Sequence, residues 1–396
     1  MARNITHSHI QLSILFLMAA FGIMGGGLMA PALPSLVGPF NIDAGSVGLV
    51  LGVYTLSAAL TLPLTGLMLD VFGRRKVALA CLVIDGVFGV LCTIAPNFTV
   101  LLVFRFFQGI GIAALIPVAV TVISDWYHGQ VRLKIMGYMS ATISMSAVFI
   151  PVIGGYLATI NWQYPFMVYG LSLVLAVFYF FNIPESGIIK ESSGSKDMIL
   201  NYLLSLRGAL KLPAVRKVFM HALILYFLLY AMVVYFPLLL SVEYGLTLTM
   251  AGVALAFQAF ISSIVASQAF RIDRKMSRNS RLVAGYFLLF SGFILIPFWE
   301  NYYQLHISLF LLGIGMGTLM PTIFHWTTTA GPNNLTGTII SLFTTVKFIG
   351  MTLAPVLLRF PHFLYGINGV FVVSALLAFI WSAKSMLNPF QEQTES

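Results

Sequence analysis

Long apolar segments recur along the whole 396-residue chain, separated by short polar connections. Each segment is close to the roughly 20 residues that a helix needs to cross a hydrocarbon core about 30 Å thick. Only 8% of the residues are charged, whereas ordinary soluble domains carry about 25%. Only helices or closed barrels satisfy their backbone groups inside a bilayer, and these segments are too long and uniformly apolar for barrel strands. The sequence therefore predicts an all-α membrane protein.

Gly, Pro and charged residues divide the apolar sequence into twelve predicted transmembrane helices. Their ranges are 12–36, 46–69, 77–95, 99–123, 135–158, 164–182, 218–240, 250–270, 281–299, 305–329, 334–358 and 363–383. The longest polar stretch, 183–217, separates two sets of six. We therefore expect an N-terminal six-helix bundle at 1–182, a cytoplasmic linker at 183–217 and a C-terminal six-helix bundle at 218–396.

The basic residues predict the orientation of the chain. If the N-terminus is cytoplasmic, all but three of the 21 Lys and Arg lie in cytoplasmic termini and loops. Arg359 alone lies outside, while Arg105 and Lys347 lie within spans. Because short cytoplasmic loops carry such an excess, we expect a multi-pass protein of the cell membrane with both termini in the cytoplasm. The net charge of +9 is explained by this topology, so no nucleic acid partner is expected.

Enzyme chemistry is not indicated by the sequence. No nucleotide-binding loop, metal-ligand cluster or nucleophile constellation is found. The two cysteines, Cys81 and Cys92, have a spacing that matches no metal or redox pattern, so we interpret them as packing residues. We therefore expect a monomeric carrier of a small molecule, without a cofactor, and regard a receptor or assembly protein as less well supported.

Landmarks of the first half recur in the second half at offsets of 203 or 204 positions. The pairs are Gly109 and Gly313, Gly111 and Gly315, Pro117 and Pro321, Pro151 and Pro355, and Asp70 and Asp273. Internal symmetry of this kind is common among transporter folds. The two halves are predicted to be repeats related by an axis along the membrane normal, with a central site between them.

The connection after the second predicted span contains an acid, a turn glycine and a basic run. It has the sequence Gly66-Leu-Met-Leu-Asp70-Val-Phe-Gly73-Arg74-Arg75-Lys76. This resembles the signature loop of the major facilitator superfamily, except that Val71 replaces the usual arginine. An acid there can stabilise the N-terminal end of a neighbouring helix by about 0.3–2 kcal/mol, and such a contact can break when the conformation changes. The alternative is a tight turn whose arginines only mark the cytoplasmic face.

Two further motifs carry the resemblance. The fourth span has the sequence Arg105-Phe-Phe-Gln108-Gly109-Ile-Gly111-Ile-Ala-Ala114, which is similar to an element of the proton-coupled members. The fifth has Ser146-Ala-Val-Phe-Ile150-Pro151-Val-Ile-Gly154-Gly155, similar to the antiporter signature, with Ser146 and Ile150 at two glycine positions. The resemblance implies the major facilitator fold and the drug:proton antiporter-like, twelve-helix multidrug efflux branch. It also implies conformational gating by Gly66, Asp70, Gly73, Arg74, Arg75, Asp125, Pro151, Gly154 and Gly155.

Charges inside the spans are the candidates for proton coupling. Asp85 is the only carboxylate well inside a span, and ionisable groups at that depth usually have a function. Arg105 lies at a similar depth on the next helix, so the two side chains are expected to meet. They form either a fixed structural ion pair or a switch that protonation opens. Lys347, near the middle of the eleventh span, has no acid at its depth in the second half.

The central helices offer aromatic and Met-rich walls with few polar groups, which suit lipophilic or amphipathic compounds. The candidate cavity residues are Met24, Gln108, Tyr226, Tyr230, Gln258, Trp326 and Lys347. Two functions remain open. The first is a proton-coupled exporter of hydrophobic or amphipathic small molecules by alternating access. The second is a carrier for an anionic metabolite, by symport, exchange or facilitated diffusion, that uses Arg105 or Lys347.

Overall fold

The computed structural model describes residues 8–185, 204–332 and 335–387, and within them eleven helices are long and apolar enough to cross a bilayer. The helical segments of the first half are His9–Gly27, Leu49–Phe72, Arg74–Ile94, Phe98–Trp126, Gly129–Ile160 and Tyr164–Asn182. Those of the second half are Pro213–Glu243, Leu248–Ser267, Arg278–Phe298, Tyr302–Thr329 and Thr336–Leu387.

The last of these helices consists of two spans. Thr336–Leu387 has 52 residues, which at 1.5 Å per residue would extend for about 78 Å, far more than a hydrocarbon core of about 30 Å. Gly366 interrupts it with φ 69° and ψ −168°, a backbone conformation that only glycine adopts readily. The spans before and after Gly366 complete the predicted set of twelve transmembrane helices.

Proline determines where several helices bend or end. The first helix ends at Gly27, well before the predicted residue 36, because Pro31 has no N–H to donate to the carbonyl of Gly27. A separate short turn, Leu33–Leu36, follows. In the fourth span the regular helix stops at Ile112 and resumes at Leu115. Pro117 follows this break, and because proline cannot bond the carbonyl four residues earlier, the carbonyl of Ala113 has no helical partner.

The predicted repeat is confirmed by equivalent helix contacts in the two halves. Added β-carbons on Gly109 and Gly111 would lie 2.2 Å from a backbone oxygen of the second span and 2.7 Å from one of the third. On Gly313 and Gly315 they would lie 3.0 Å from a carbonyl of the eighth span and 2.9 Å from one of the ninth. The fourth span thus crosses the second and third as the tenth crosses the eighth and ninth.

Residues 8 and 387 lie at the same membrane face because an even number of spans separates them; we call this face the terminal face and the opposite one the far face. The two halves meet towards the far face. The hydroxyls of Thr55 and Thr352 are 2.9 Å apart, and those of Thr159 and Thr249 are 3.2 Å apart. Each pair joins one half to the other.

The fifth span is loosely packed in its middle. None of the residues 140–146, two full turns, is buried, whereas Ile135 and Met139 nearer the terminal face and Pro151, Gly154, Gly155 and Ala158 nearer the far face are buried. The eighth span, which contacts the fifth near the far face, has no buried residue between 259 and 267, towards the terminal face. The two spans are therefore in close contact near the far face and less closely packed further from it. The seventh span begins at Pro213, inside the predicted linker, and residues 186–203 of that linker lie outside the described residues.

Candidate functional site

A buried polar network lies where the third, fourth and sixth spans meet. Asp85, Arg105, Gln108 and Ser172 each have 0% of their surface exposed. Gln108 accepts a hydrogen bond from Arg105 at 2.6 Å and donates one to Asp85 at 3.1 Å. Ser172 donates to the second oxygen of Asp85 at 2.6 Å. Both carboxylate oxygens are therefore satisfied, as a buried charge requires.

The expected direct contact between Asp85 and Arg105 is wrong, because Gln108 lies between them. At 1.5 Å per residue, Asp85 and Gln108 both lie about 14–15 Å from the far-face ends of their helices, whereas Arg105 lies about 10 Å from its own. The sequence held a signal for this arrangement. Residues three apart on a helix share a face, so the amide of Gln108 was placed to bridge the two charges.

Arg105 is satisfied largely by backbone oxygens. Its guanidinium donates to the carbonyl of Gly25 at 3.2 Å and to that of Val50 at 3.3 Å, and it lies 4.3 Å from the ring centroid of Tyr54. Gly25 permits this approach, because an added β-carbon would lie 1.9 Å from the Tyr54 hydroxyl. Arg105 therefore joins the first, second and fourth spans, which is compatible with both a structural role and a role in coupling.

Most of the predicted cavity residues are not accessible to a substrate. Met24, Tyr230, Gln258 and Trp326 have exposed fractions of 6%, 7%, 4% and 2%, and Gln108 belongs to the buried network. These side chains pack between helices instead. Only two of the seven predicted residues, Tyr226 and Lys347, are partly exposed.

Tyr226 and Lys347 belong to an aromatic cluster that the sequence did not reveal. The Lys347 ammonium lies 5.6 Å from the centroid of the Tyr226 ring and 5.1 Å from that of Phe348. The Tyr226 ring is 6.3 Å from Phe343, which is 5.8 Å from Phe324. We call Tyr226, Phe343 and Phe324 the aromatic row. It joins the seventh, eleventh and tenth spans and ends at Phe324, which is 48% exposed.

The predicted gating loop makes two charged contacts at the terminal face. Gly73 separates the second and third helices with φ 82°, a left-handed conformation suited to glycine. Arg74 forms an ion pair with Asp125 at the end of the fourth span. The backbone N–H of Arg75 donates to Glu185 at 3.0 Å. Glu185 was not predicted, since it follows the sixth span, 110 residues later in sequence.

Two other residues of the predicted loop have no demonstrated gating contact. The backbone of Asp70 belongs to the Leu49–Phe72 helix, but its side chain lies outside what the structure describes. A β-carbon added at Gly66 would have no neighbour within 4 Å, so packing does not require glycine there. Their roles in gating stay predictions.

Reversing the charges of Arg74 and Asp125 tests the loop contact. Their side chains are 18% and 30% exposed, and exposed pairs contribute up to about 1 kcal/mol. We expect Arg74→Asp or Asp125→Arg to slow transport by about fivefold, since 1.4 kcal/mol corresponds to a factor of ten. The double reversal should recover most of the rate in a vesicle uptake assay. Equal loss in the single and double variants would show that the pair itself is unimportant.

The predicted residues of the fifth span contact both halves. A β-carbon on Gly154 would lie 2.0 Å from the carbonyl oxygen of Leu28 in the same half, and one on Gly155 would lie 2.2 Å from that of Leu248 in the other half. A β-carbon on Gly252 of the eighth span would lie 2.3 Å from the carbonyl oxygen of Pro151. The two helices thus approach each other backbone to backbone.

An exposed ion pair also joins the halves at the far face. Arg359 lies 3.2 Å from Asp43, and the side chains are 50% and 58% exposed. Partial burial raises the pKa of Asp43, but hydrogen bonds from Ser46 and the charge of Arg359 outweigh this, so the pKa lies below its usual value. The contact is therefore present above the usual aspartate range and is lost only as the pH falls through the lowered pKa.

Comparisons with known proteins agree with this architecture. A family model described as Major Facilitator Superfamily matches residues 15–355. The Bacillibactin exporter of Bacillus subtilis (strain 168) is 25% identical over 345 residues, which cover 84% of this chain and 85% of that protein. Multidrug resistance protein 2 of the same organism is 23% identical over 385 residues, 91% and 92% of the two chains.

A solved structure shares the fold. A bacterial homolog to the human lysosomal transporter Spinster, in an inward-facing and unoccupied conformation, superposes with a TM-score of 0.81 at 16% sequence identity. The match covers 95% of this chain and 96% of that one. Together with the family match over most of the sequence, it confirms the prediction of a transporter rather than an enzyme. The chain belongs to the Major Facilitator Superfamily and is a multi-pass membrane transporter.

Proposed function

We propose that this protein is a proton-coupled exporter of hydrophobic or amphipathic small molecules, located in the cell membrane with both termini in the cytoplasm. It works by alternating access as a monomer, because one chain supplies both six-helix halves. Its partners are the small-molecule substrate, the proton and the surrounding lipid, and no nucleic acid is involved. The division into 1–182, 183–217 and 218–396 is part of the same proposal.

The arrangement of the two halves is the observation that carries the proposal. The halves are in contact towards the far face through Thr55–Thr352 and Gly155–Leu248, whereas residues 259–267 of the eighth span, towards the terminal face, are not buried. The excess of Lys and Arg in the loops of the terminal face supports a cytoplasmic location for that face. The cavity is then open to the cytoplasm and closed to the outside, so that an exporter in this state is ready to collect its substrate.

The geometry around Asp85 supports a role for this carboxylate in proton coupling. The Gln108 amide donates to Asp85 and accepts from Arg105. When Asp85 gains a proton on the oxygen facing Gln108, the amide loses its acceptor and must turn. Arg105 then loses one of its partners, although it keeps the carbonyls of Gly25 and Val50. Protonation in the first half is thereby transmitted to the first and second spans.

The nature of the substrate is supported by the cavity wall and by the relatives. Two rings of the aromatic row, the partly exposed Tyr226 and the exposed Phe324, provide apolar, polarisable surface, and Phe343 packs between them. Such surface suits amphipathic ligands. Two relatives that match most of the chain are named Bacillibactin exporter and Multidrug resistance protein 2. The first name describes the export of a compound, and the second describes resistance to several drugs.

Transport into inverted membrane vesicles tests the proposal. The vesicle lumen then corresponds to the cell exterior, and acidifying it should drive accumulation of a lipophilic fluorescent dye. A protonophore should abolish the accumulation, and vesicles without the protein should show none. Uptake that persists without the gradient would overturn proton coupling. If neither dyes nor drugs accumulate under any gradient, the assignment as an exporter of amphipathic compounds is wrong.

A further inference from the structure

Lys347 is a membrane-embedded charge with no partner of opposite charge among the described residues. In the described part of the chain its ammonium forms neither an ion pair nor a hydrogen bond, and the nearby groups are the rings of Tyr226 and Phe348. The side chain is partly exposed. Because an ionisable side chain inside a membrane normally has a counter-charge or faces water or a ligand, Lys347 is available to something that enters the cavity.

The position of Lys347 is that expected of a binding residue. It lies eleven residues from the start of its helix at Thr336, or about 16 Å from the terminal-face end at 1.5 Å per residue. Thr352, which contacts Thr55 of the other half, lies five residues further along, or about 7 Å. The ammonium is therefore near the closed end of a cavity that opens at the terminal face.

The membrane carboxylate cannot neutralise Lys347. Asp85 belongs to the other half, is fully buried, and already accepts hydrogen bonds from Gln108 and Ser172. The other acids whose side chains are described lie at the ends of spans or in the connections between them: Asp43, Asp125, Glu185, Glu243, Asp273 and Glu300. Of these, Asp43, Asp125 and Asp273 are each paired with an arginine. The positive charge of Lys347 is thus left for the substrate.

We propose that Lys347 binds an acidic group of the substrate and that the accessible rings of the aromatic row, Tyr226 and Phe324, bind its apolar part. The substrates of this exporter are then aromatic or amphipathic organic acids, which carry a carboxylate or a comparable anionic oxygen. This inference rests on the proposed export function and specifies its substrate class. An ammonium donates strong hydrogen bonds to anionic oxygens, whereas it repels a cationic drug at the same position.

The membrane potential favours such a substrate. An energised cell membrane is negative inside, so an anion that moves outward moves down the electrical gradient, and a proton that moves inward does the same. When the substrate anion is exchanged for a proton, the membrane potential therefore favours both movements. A cationic substrate would have to move against the potential.

The test uses three probes that share one naphthalene fluorophore and differ only in the end group: a carboxylate, a neutral amide or a quaternary ammonium. Binding to purified protein in detergent and uptake into inverted vesicles are both measured. We expect the wild-type protein to bind the carboxylate about tenfold more tightly than the amide, the factor that one charge-assisted hydrogen bond provides. Lys347→Gln should remove this preference, and Lys347→Arg should keep most of it.

A matched control is available on the fifth span. Lys134 is exposed and also lies near an aromatic ring, with its ammonium 5.9 Å from the centroid of Tyr138. It lies close to the terminal-face end of its helix, so Lys134→Gln should leave the carboxylate preference unchanged. If that variant loses the preference as fully as Lys347→Gln does, the effect is one of general surface charge and the inference is wrong.

The outcomes separate this inference from the export proposal. Equal binding of all three probes to the wild-type protein, or a preference that survives Lys347→Gln, overturns the inference. Gradient-driven uptake of the amide probe in that case would still support export. If no probe accumulates but the carboxylate binds best and requires Lys347, the substrate class stands and the coupling mechanism is wrong.

Discussion

Replacing Gly155 with alanine is expected to hold the two halves apart at the far face and to reduce transport strongly. The new methyl group would lie 2.2 Å from the carbonyl oxygen of Leu248 and 3.2 Å from the Cα of Thr249. Both neighbours are backbone atoms, so the helices themselves must separate. Overpacking of this kind costs about 1–3 kcal/mol, which shifts the ratio of the two conformations by about 5–150-fold.

The separation of the halves can be measured as a distance between two spin labels, one on each half. Spin labels at Gly38 and Tyr303, both exposed near the far face, would report it once the two buried native cysteines are replaced. In Gly155→Ala the distance distribution should move to longer values. Gly154→Ala is the control, since its methyl group would press on Leu28 of the same half. It should lower the stability of the first half without separating the labels.

Two results would contradict this prediction. If Gly155→Ala transports normally and leaves the label distance unchanged, the close approach of the fifth and eighth spans has no part in gating. If both alanine variants separate the labels equally, the effect comes from a general loss of packing. Gly252→Ala gives a further check, because its methyl group would press on the carbonyl of Pro151 across the same contact.

Asp85→Asn is expected to abolish transport driven by the proton gradient and to leave folding and substrate binding intact. Asparagine has the same shape, and its amide oxygen still accepts a hydrogen bond from Ser172 or Gln108. It cannot gain a proton. Uptake into inverted vesicles with an acidic lumen should therefore fall to the level of vesicles without the protein, while the variant still reaches the membrane.

Substrate exchange distinguishes loss of coupling from loss of structure. Preloaded vesicles that exchange labelled for unlabelled substrate need no net proton movement, so Asp85→Asn should still catalyse this exchange. Asp43→Asn is the matched control, because it removes an exposed carboxylate whose ion pair with Arg359 is worth about 0.2–1 kcal/mol. Its gradient-driven uptake should stay close to wild type. Normal gradient-driven uptake by Asp85→Asn would remove this carboxylate from the coupling mechanism.

The architecture was predictable because lipid imposes a simple rule on sequence. A helix in a bilayer must be apolar over about 20 residues, so each span appears as a run that ends at Gly, Pro or charge. The predicted helix ends were wrong where a proline removes a backbone hydrogen bond. The first helix was predicted to reach residue 36, yet it ends at Gly27 because Pro31 has no N–H to donate to the Gly27 carbonyl.

The site was only partly predictable because spans that are apolar on all sides do not show which side faces the cavity. Met24 and Trp326 were expected to line it, but helix rotation buries them. Asp85 and Arg105 were correctly placed in one region by depth, since charge inside a span is conspicuous. The bridging amide of Gln108 and the hydroxyl of Ser172 were not anticipated as a unit, because their alignment depends on the relative height of three helices.

Gly25 and Gly26 are adjacent in sequence but contact different halves of the protein. The carbonyl of Gly25 accepts a hydrogen bond from Arg105, while a β-carbon on Gly26 would lie 2.7 Å from the hydroxyl of Tyr230 in the second half. One residue of the first span thus contacts the buried charged network of the first half, and the next residue contacts the second half. A change in the bond between Arg105 and Gly25 would therefore act on a backbone that contacts the second half at the next residue.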